Sequence, residues 1–236
     1  MTLFLNIMSL DQDLFLYLNS LHNSFGDHFF WMYTDTLIWL PLYASILYVI
    51  IKQQGQKSWI TILFIILMVV LCDQISSQIF KDGFQRLRPS QNPLLEGLVH
   101  LVNGRKGGLY GFVSSHATNS FGLAMFSSLL FRYKPLTIVI FIWALINSYS
   151  RIYLGLHYPG DILGGGLLGI GVAVLVYQIY LRTYNKIELS KRPIIELKKL
   201  ISQKFNSADK KLIIFVFTTM MITLLIVAKL MVRLHG

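Results

Sequence analysis

Charge is what this sequence has least of. Only 14% of its 236 residues are Asp, Glu, Lys or Arg, against roughly 25% in an average soluble domain. That is too few to clothe a water-facing surface. A hydrophobic share of 54% and a mean hydropathy of +0.57 exclude intrinsic disorder. Cysteine is nearly missing, and the single Cys72 permits neither an internal disulfide nor a cysteine zinc cluster. Acidic residues number 11 against 21 basic ones, a net charge of +10. In water that imbalance would raise nucleic-acid binding. No aromatic interleaving or nucleic-acid-binding motif accompanies it. In a bilayer the same excess is expected of cytoplasmic loops.

Long apolar runs are what the chain does have. About 20 apolar residues at 1.5 Å each cross a hydrocarbon core of roughly 30 Å. Six such spans are predicted, at 29–51, 59–80, 114–132, 136–154, 160–182 and 212–232. Their pattern is helical, without the ten-residue alternation of membrane β-strands. The expected fold is therefore an all-α polytopic membrane helix bundle. Residues 1–27 contain Asp11, Asp13 and several Asn, and read as an amphipathic interfacial segment. They lack the basic start and small-residue cleavage site of a signal peptide. The predicted organisation is 1–27 interfacial, 28–184 membrane core, 185–211 basic connector and 212–236 final transmembrane helix. Gly164, Gly165, Gly166, Gly169 and Gly171 cluster in the fifth span, where small residues let helices approach closely.

Orientation follows from the loops. Lys52 and Lys57, Arg132 and Lys134, and a series from Arg182 to Lys211 (including Lys191, Arg192 and Lys204) all fall on one side. That side is predicted cytoplasmic. Against this trend, Lys81, Arg86, Arg88, Arg105, Lys106 and Arg151 fall on the opposite side, with His116 and His157. Charge at membrane depth costs roughly 2.5–3.5 kcal/mol per residue. Charged groups at helix ends in one leaflet therefore mark a site.

Topology brings Lys81, Arg88, His116, Arg151, His157 and Asp161 to the outer ends of four helices. The chemistry they suit is phosphoryl transfer. Lys81, Arg88 and Arg151 can cradle a phosphate, and helix N-termini at Ser114–His116 and near Asp161 add backbone amides. Two histidines allow one to attack phosphorus and the other to protonate the leaving oxygen. Asp161, four residues after His157, can hold its tautomer. Asp73, Asn119 and Asn147 either line the cavity or bond between helices, the latter being the expected role, and His100 is expected to be incidental.

These residues carry a resemblance. Lys81 to Pro89, K-D-G-F-Q-R-L-R-P, resembles the first motif of the type 2 phosphatidic acid phosphatase superfamily. Ser114 to His116, S-S-H, resembles its second motif, with Val113 and Ser115 where proline and glycine are usual. Ser150 to Asp161, S-R-I-Y-L-G-L-H-Y-P-G-D, matches its third. The resemblance covers about 73–175. It implies His157 as nucleophile forming a phosphohistidine, Asp161 orienting it, and His116 as general acid. It implies Lys81, Arg88 and Arg151 binding phosphate with Ser114 and the Ser115 amide, and it implies no metal and no cofactor.

The expected activity is removal of phosphate from a membrane lipid at the outer face of a bacterial cytoplasmic membrane. Candidate substrates are an isoprenyl phosphate or diphosphate, a lipid A phosphate, phosphatidylglycerophosphate and phosphatidic acid. Arg105 and Lys106, in a glycine-rich loop, are either headgroup contacts or solvated. The alternatives are a lipid phosphotransferase using the same intermediate and an anion transporter. The latter would need inverted repeats with broken helices, which the sequence does not show.

Overall fold

A computed structural model describes residues 2–188, 193–203 and 205–235. Lys191, Arg192 and Lys204 of the basic connector lie outside the described residues. Among the described residues, nine helices of ten residues or more carry the architecture: α1 (Thr2–Ser20), α2 (Ser24–Tyr33), α3 (Leu40–Gln54), α4 (Ser58–Gln74), α5 (Ser115–Phe131), α6 (Lys134–Tyr153), α7 (Pro159–Glu188), α8 (Ile194–Gln203) and α9 (Ser207–His235). No strand occurs among the described residues; one isolated bridge joins Leu87 to Tyr110. Among the described residues, four segments are long and apolar enough to cross a membrane: Thr36–Phe84, Lys134–Tyr153, Pro159–Ile187 and Ser207–Leu234. The first holds both α3 and α4, parted at Gly55, whose φ of 59° stops the helix.

The span expected over 29–51 is interrupted. The α2 helix starts at Ser24, where the Asn23 side chain accepts from the Gly26 amide, and ends at Tyr33. Asp35 caps a 3₁₀ turn, Thr36–Trp39, before α3 begins. The break is held by Trp39, whose indole N–H donates to the Tyr33 carbonyl at 2.8 Å. Burial of Tyr33, Trp39 and Trp143 against each other fixes the corner.

The central helix is α5, flanked by α4, α6 and α7. Protein rather than lipid surrounds it, which explains how a segment with Ser, Thr and Asn in its first turns sits in a membrane bundle. Gly165 and Gly169 set its distance from α7. A Cβ on Gly165 would stand 2.6 Å from the Ser114 carbonyl oxygen, and one on Gly169 would stand 2.1 Å from that of Thr118. The small-residue packing expected of the fifth span is therefore backbone-to-backbone contact with the helix that carries His116.

Beyond Gln74, α4 loosens into a π-helical stretch, Ile75–Lys81, a feature often found at functional sites. Residues 82–113 fold back over that end of the bundle. The opposite end receives α8 and the turn after it: Phe205 packs edge-on against Phe131 at 4.7 Å, and Lys52 pairs with Asp209 at 2.7 Å. The 17 residues of α5 separate that end from Ser115, about 24 Å at 1.5 Å per residue.

Candidate active site

Four helix ends, the 82–113 segment, the turn after α6 and the break between α2 and α3 build the site. The turn after α6 is tight: the Leu156 and His157 amides both donate to the Arg151 carbonyl, at 2.9 and 3.2 Å. Gly155 supplies a positive φ of 74° within it. His157 emerges from this turn fully buried. Its Nδ1 lies 3.2 Å from Asp161 Oδ2, which also accepts from the Tyr158 amide at 3.0 Å. The spacing of four across Pro159 therefore does bring the pair together. The Ser114 amide donates to the Asp161 carbonyl at 3.0 Å, tying the start of α5 to the start of α7.

A carboxylate on Nδ1 fixes the tautomer with its proton there and leaves Nε2 as an acceptor carrying the lone pair. Arg88 Nη1 stands 3.0 Å from that Nε2. Arg88 is held in turn by the carbonyls of Tyr110 and Leu156. A group presented to Nε2 therefore meets the Arg88 guanidinium as well. Burial first, then the charges of Arg88, Arg151 and Lys81, hold the His157 imidazole well below the usual histidine range. That favours the neutral ring, the form in which an imidazole can act as a nucleophile.

Arg151 is 4% exposed. Its Nη1 donates to Thr34 Oγ1 at 2.6 Å, while Nε has no protein acceptor among the described residues. The break between α2 and α3 thus places Thr34 in the site. Lys81 Nζ donates to Ser115 Oγ at 2.7 Å. Ser114 is fully buried and caps α5, its hydroxyl oxygen accepting from the Ala117 amide. Ser115 is the first helical residue and needs no left-handed conformation, so a side chain is accommodated where glycine is usual. His116, half-buried, lies within electrostatic reach of Arg151, His157, Arg88 and Lys81. All six residues expected to converge do so. A cluster of three cations this buried calls for an anion.

Beside His116 opens a cavity of about 490 Å³ between α3, α4, α5 and α6. Its walls are largely apolar, with Ile46, Leu47, Ile62, Ile65, Val69 and Leu123 among them. Asp73, Asn119 and Asn147 also line it, so the expectation that they chiefly bond between helices holds only for Asn147, which donates to Ser120 Oγ at 2.6 Å.

His100 stays out of the site: it pairs with Asp27 at 2.9 Å and stacks on His22. Arg105 and Lys106 are exposed, and Arg105 lies 5.7 Å above the Trp31 ring. Besides Thr34, two residues escape sequence reasoning. Arg86 Nη1 donates to Asp161 Oδ1 at 3.0 Å, and its Nη2 donates to Asp11 Oδ2 at 2.7 Å. Arg86 had no visible partner in sequence, and Asp11 read as part of an interfacial surface.

A model of the PAP2 superfamily matches residues 58–184. The lipid A 4'-phosphatase of Bacteroides thetaiotaomicron is 45% identical over 166 residues, 69% of this chain and 73% of that protein. The lipid A 4'-phosphatase of Porphyromonas gingivalis is 37% identical over 176 residues, 74% and 75% of the two chains. The crystal structure of Aquifex aeolicus LpxE superposes with a TM-score of 0.54 at 25% identity, over 72% of this chain and 95% of that one. The chain belongs to the PAP2 superfamily and is an integral membrane enzyme of its lipid-phosphatase class.

Proposed function

We propose that this enzyme hydrolyses a phosphate monoester on the sugar headgroup of lipid A, at the outer face of a bacterial cytoplasmic membrane. The observation that carries the chemistry is the His157 imidazole, bonded through Nδ1 to Asp161 and facing Arg88 with Nε2. The substrate class rests on the 45% and 37% identical relatives named for lipid A 4'-phosphate. The apolar cavity beside His116 suits an acyl chain.

Lys81, Arg88 and Arg151 hold the non-bridging phosphate oxygens, with amides at the Ser115 helix start adding to them. The Nε2 lone pair of His157 attacks phosphorus as the bond to the sugar oxygen breaks. His116 delivers a proton to that oxygen. Asp161 stabilises the positive charge that develops on the His157 ring. Water then attacks phosphorus, His116 recovers a proton from it, and the phosphorus–nitrogen bond breaks to release phosphate. The donors are this chain's own side chains and amides.

Six crossings suit this site. α3 to α7 and α9 then alternate in direction, Lys52 and the described basic residues of 185–211 face the cytoplasm, and 1–27 lies at the outer interface over the site. The end-to-end separation of α8 from Ser115 along α5 supports that assignment.

The test is phosphate release by the purified protein in detergent, from lipid A bisphosphate, undecaprenyl diphosphate and phosphatidylglycerophosphate. Lipid A is expected to give the highest kcat/KM. Alkaline quenching should trap an acid-labile phosphoenzyme that His157→Ala lacks. A chain that ignores lipid A and turns over an isoprenyl diphosphate would overturn the substrate, and an active His157→Ala would overturn the nucleophile.

A further inference from the structure

The family match begins at residue 58, yet a residue far upstream reaches the catalytic turn. Helix α1 lies against α6 and α7. Phe15 is fully buried and meets the Tyr158 ring edge-on at 5.4 Å. Asn19, also buried, donates to the carbonyls of Ile152 and Tyr153. One turn further towards the N-terminus from Phe15, Asp11 uses both carboxylate oxygens. Oδ2 accepts from Arg86 Nη2 at 2.7 Å, and Oδ1 accepts from the Gly160 amide at 2.7 Å. Gly160 has no Cβ, and one added there would come within 2.8 Å of Asp11 Oδ2. Arg86 lies over the Tyr158 ring at 4.1 Å and passes its other nitrogen to Asp161.

We infer that Asp11 and Arg86 are positioning residues, forming a chain from Asp11 through Arg86 and Asp161 to His157 that holds the catalytic carboxylate in place and preserves its negative charge. The inference rests on the reading of His157 as nucleophile. Two physical consequences follow from the order of charges. Arg86 alone would neutralise Asp161 and weaken its support of the cationic His157 ring. Asp11 cancels that effect, so the Asp11–Arg86–Asp161 chain keeps one net negative charge on the Nδ1 side of the imidazole. Asp11 also clamps the Gly160 amide, fixing the turn on which both His157 and Asp161 stand, and small displacements of a reacting group cost rate steeply.

The experiment compares Asp11→Asn, Asp11→Glu, Gly160→Ala and Phe15→Ala, assayed on the lipid phosphate that the parent enzyme turns over, each with its melting temperature in detergent. Asp11→Asn is expected to lower kcat by about tenfold or more with KM within about twofold, and Asp11→Glu to recover most of it. Gly160→Ala, which takes the carboxylate's space without changing charge, gives the same kcat loss and decides the matter should Asp11→Asn fail to fold. Phe15→Ala loosens the same helix without touching the ion pair and keeps kcat within about twofold. In an Arg86→Gln background Asp11→Asn has a smaller effect than alone. Parent-like kcat in both Asp11→Asn and Gly160→Ala, or equal losses in Phe15→Ala, overturns the inference. An active His157→Ala instead overturns the nucleophile assignment beneath it.

Discussion

Arg88 Nη1 lies 3.0 Å from Nε2 of His157, 69 residues further along the chain. The guanidinium donates to the lone pair with which a His157 nucleophile would reach phosphorus, so Arg88 has to turn onto a phosphate oxygen before attack, and the Tyr110 and Leu156 carbonyls keep it within reach. In the proposed reaction one cation meets the phosphate at the point where His157 attacks it.

His157 should be uncharged at pH 6.5. Burial and the cations Arg88, Arg151 and Lys81 lower its pKa, against Asp161 on its other nitrogen. A lowered histidine pKa keeps the neutral form down to more acidic pH, so the ring protonates only below 6.5. Histidine-selective ¹⁵N NMR of the free enzyme checks this; a protonated His157 ring at pH 6.5 would contradict it.

Arg151→Lys should damage turnover although it keeps the charge. Arg151 is buried, with Nη1 on Thr34 Oγ1 and Nε open to a further acceptor. A lysine ammonium cannot serve both directions at once. Losing one charge-assisted hydrogen bond costs about 1.5–3 kcal/mol, or roughly 10- to 100-fold in kcat/KM. Inhibition by inorganic phosphate should weaken in parallel; unchanged inhibition would remove Arg151 from the anion site.

His116→Ala should lower kcat by roughly 10²- to 10⁴-fold on a lipid alkyl or sugar phosphate if His116 protonates the leaving oxygen. The loss should shrink on an aryl phosphate, whose leaving oxygen needs no proton. Equal losses on both substrates would assign His116 to binding instead.

Filling the cavity should separate lipid binding from chemistry. Leu123 lies two helical turns beyond His116 and lines the cavity of about 490 Å³. Leu123→Trp should raise KM for a long-chain lipid phosphate by about tenfold, since one extra or missing apolar contact is worth roughly 1–3 kcal/mol. Turnover of a short, water-soluble phosphate ester should be unchanged. A parallel loss on both would mean that the cavity does not seat the chain.

Gly169→Ala should destabilise the bundle, because its Cβ would stand 2.1 Å from the Thr118 carbonyl oxygen. Overpacking of this kind costs about 1–3 kcal/mol. Gly171→Ala, with open space around it, should leave the melting temperature unchanged or higher. Equal melting temperatures would disprove the close approach of α5 and α7.

Much of the site was legible because it sits on short motifs at helix ends. Lys81, Arg88, His116, Arg151, His157 and Asp161 stand out as charges and histidines where a bilayer penalises them. The broken first span was not legible: Thr34 and Asp35 look like tolerated polar residues in an apolar run, and only the packing of Tyr33, Trp39 and Trp143 shows that the chain turns there. That turn matters because it delivers Thr34 to Arg151.

Asp11 marks the other limit. Hydropathy and spacing determine that this chain forms membrane helices and on which side its charges gather, because each depends on a residue's cost in lipid and not on its neighbours. Which carboxylate meets which guanidinium across 75 positions is decided by how α1 docks on α6 and α7, and local pattern carries no record of a contact formed only after the helices pack.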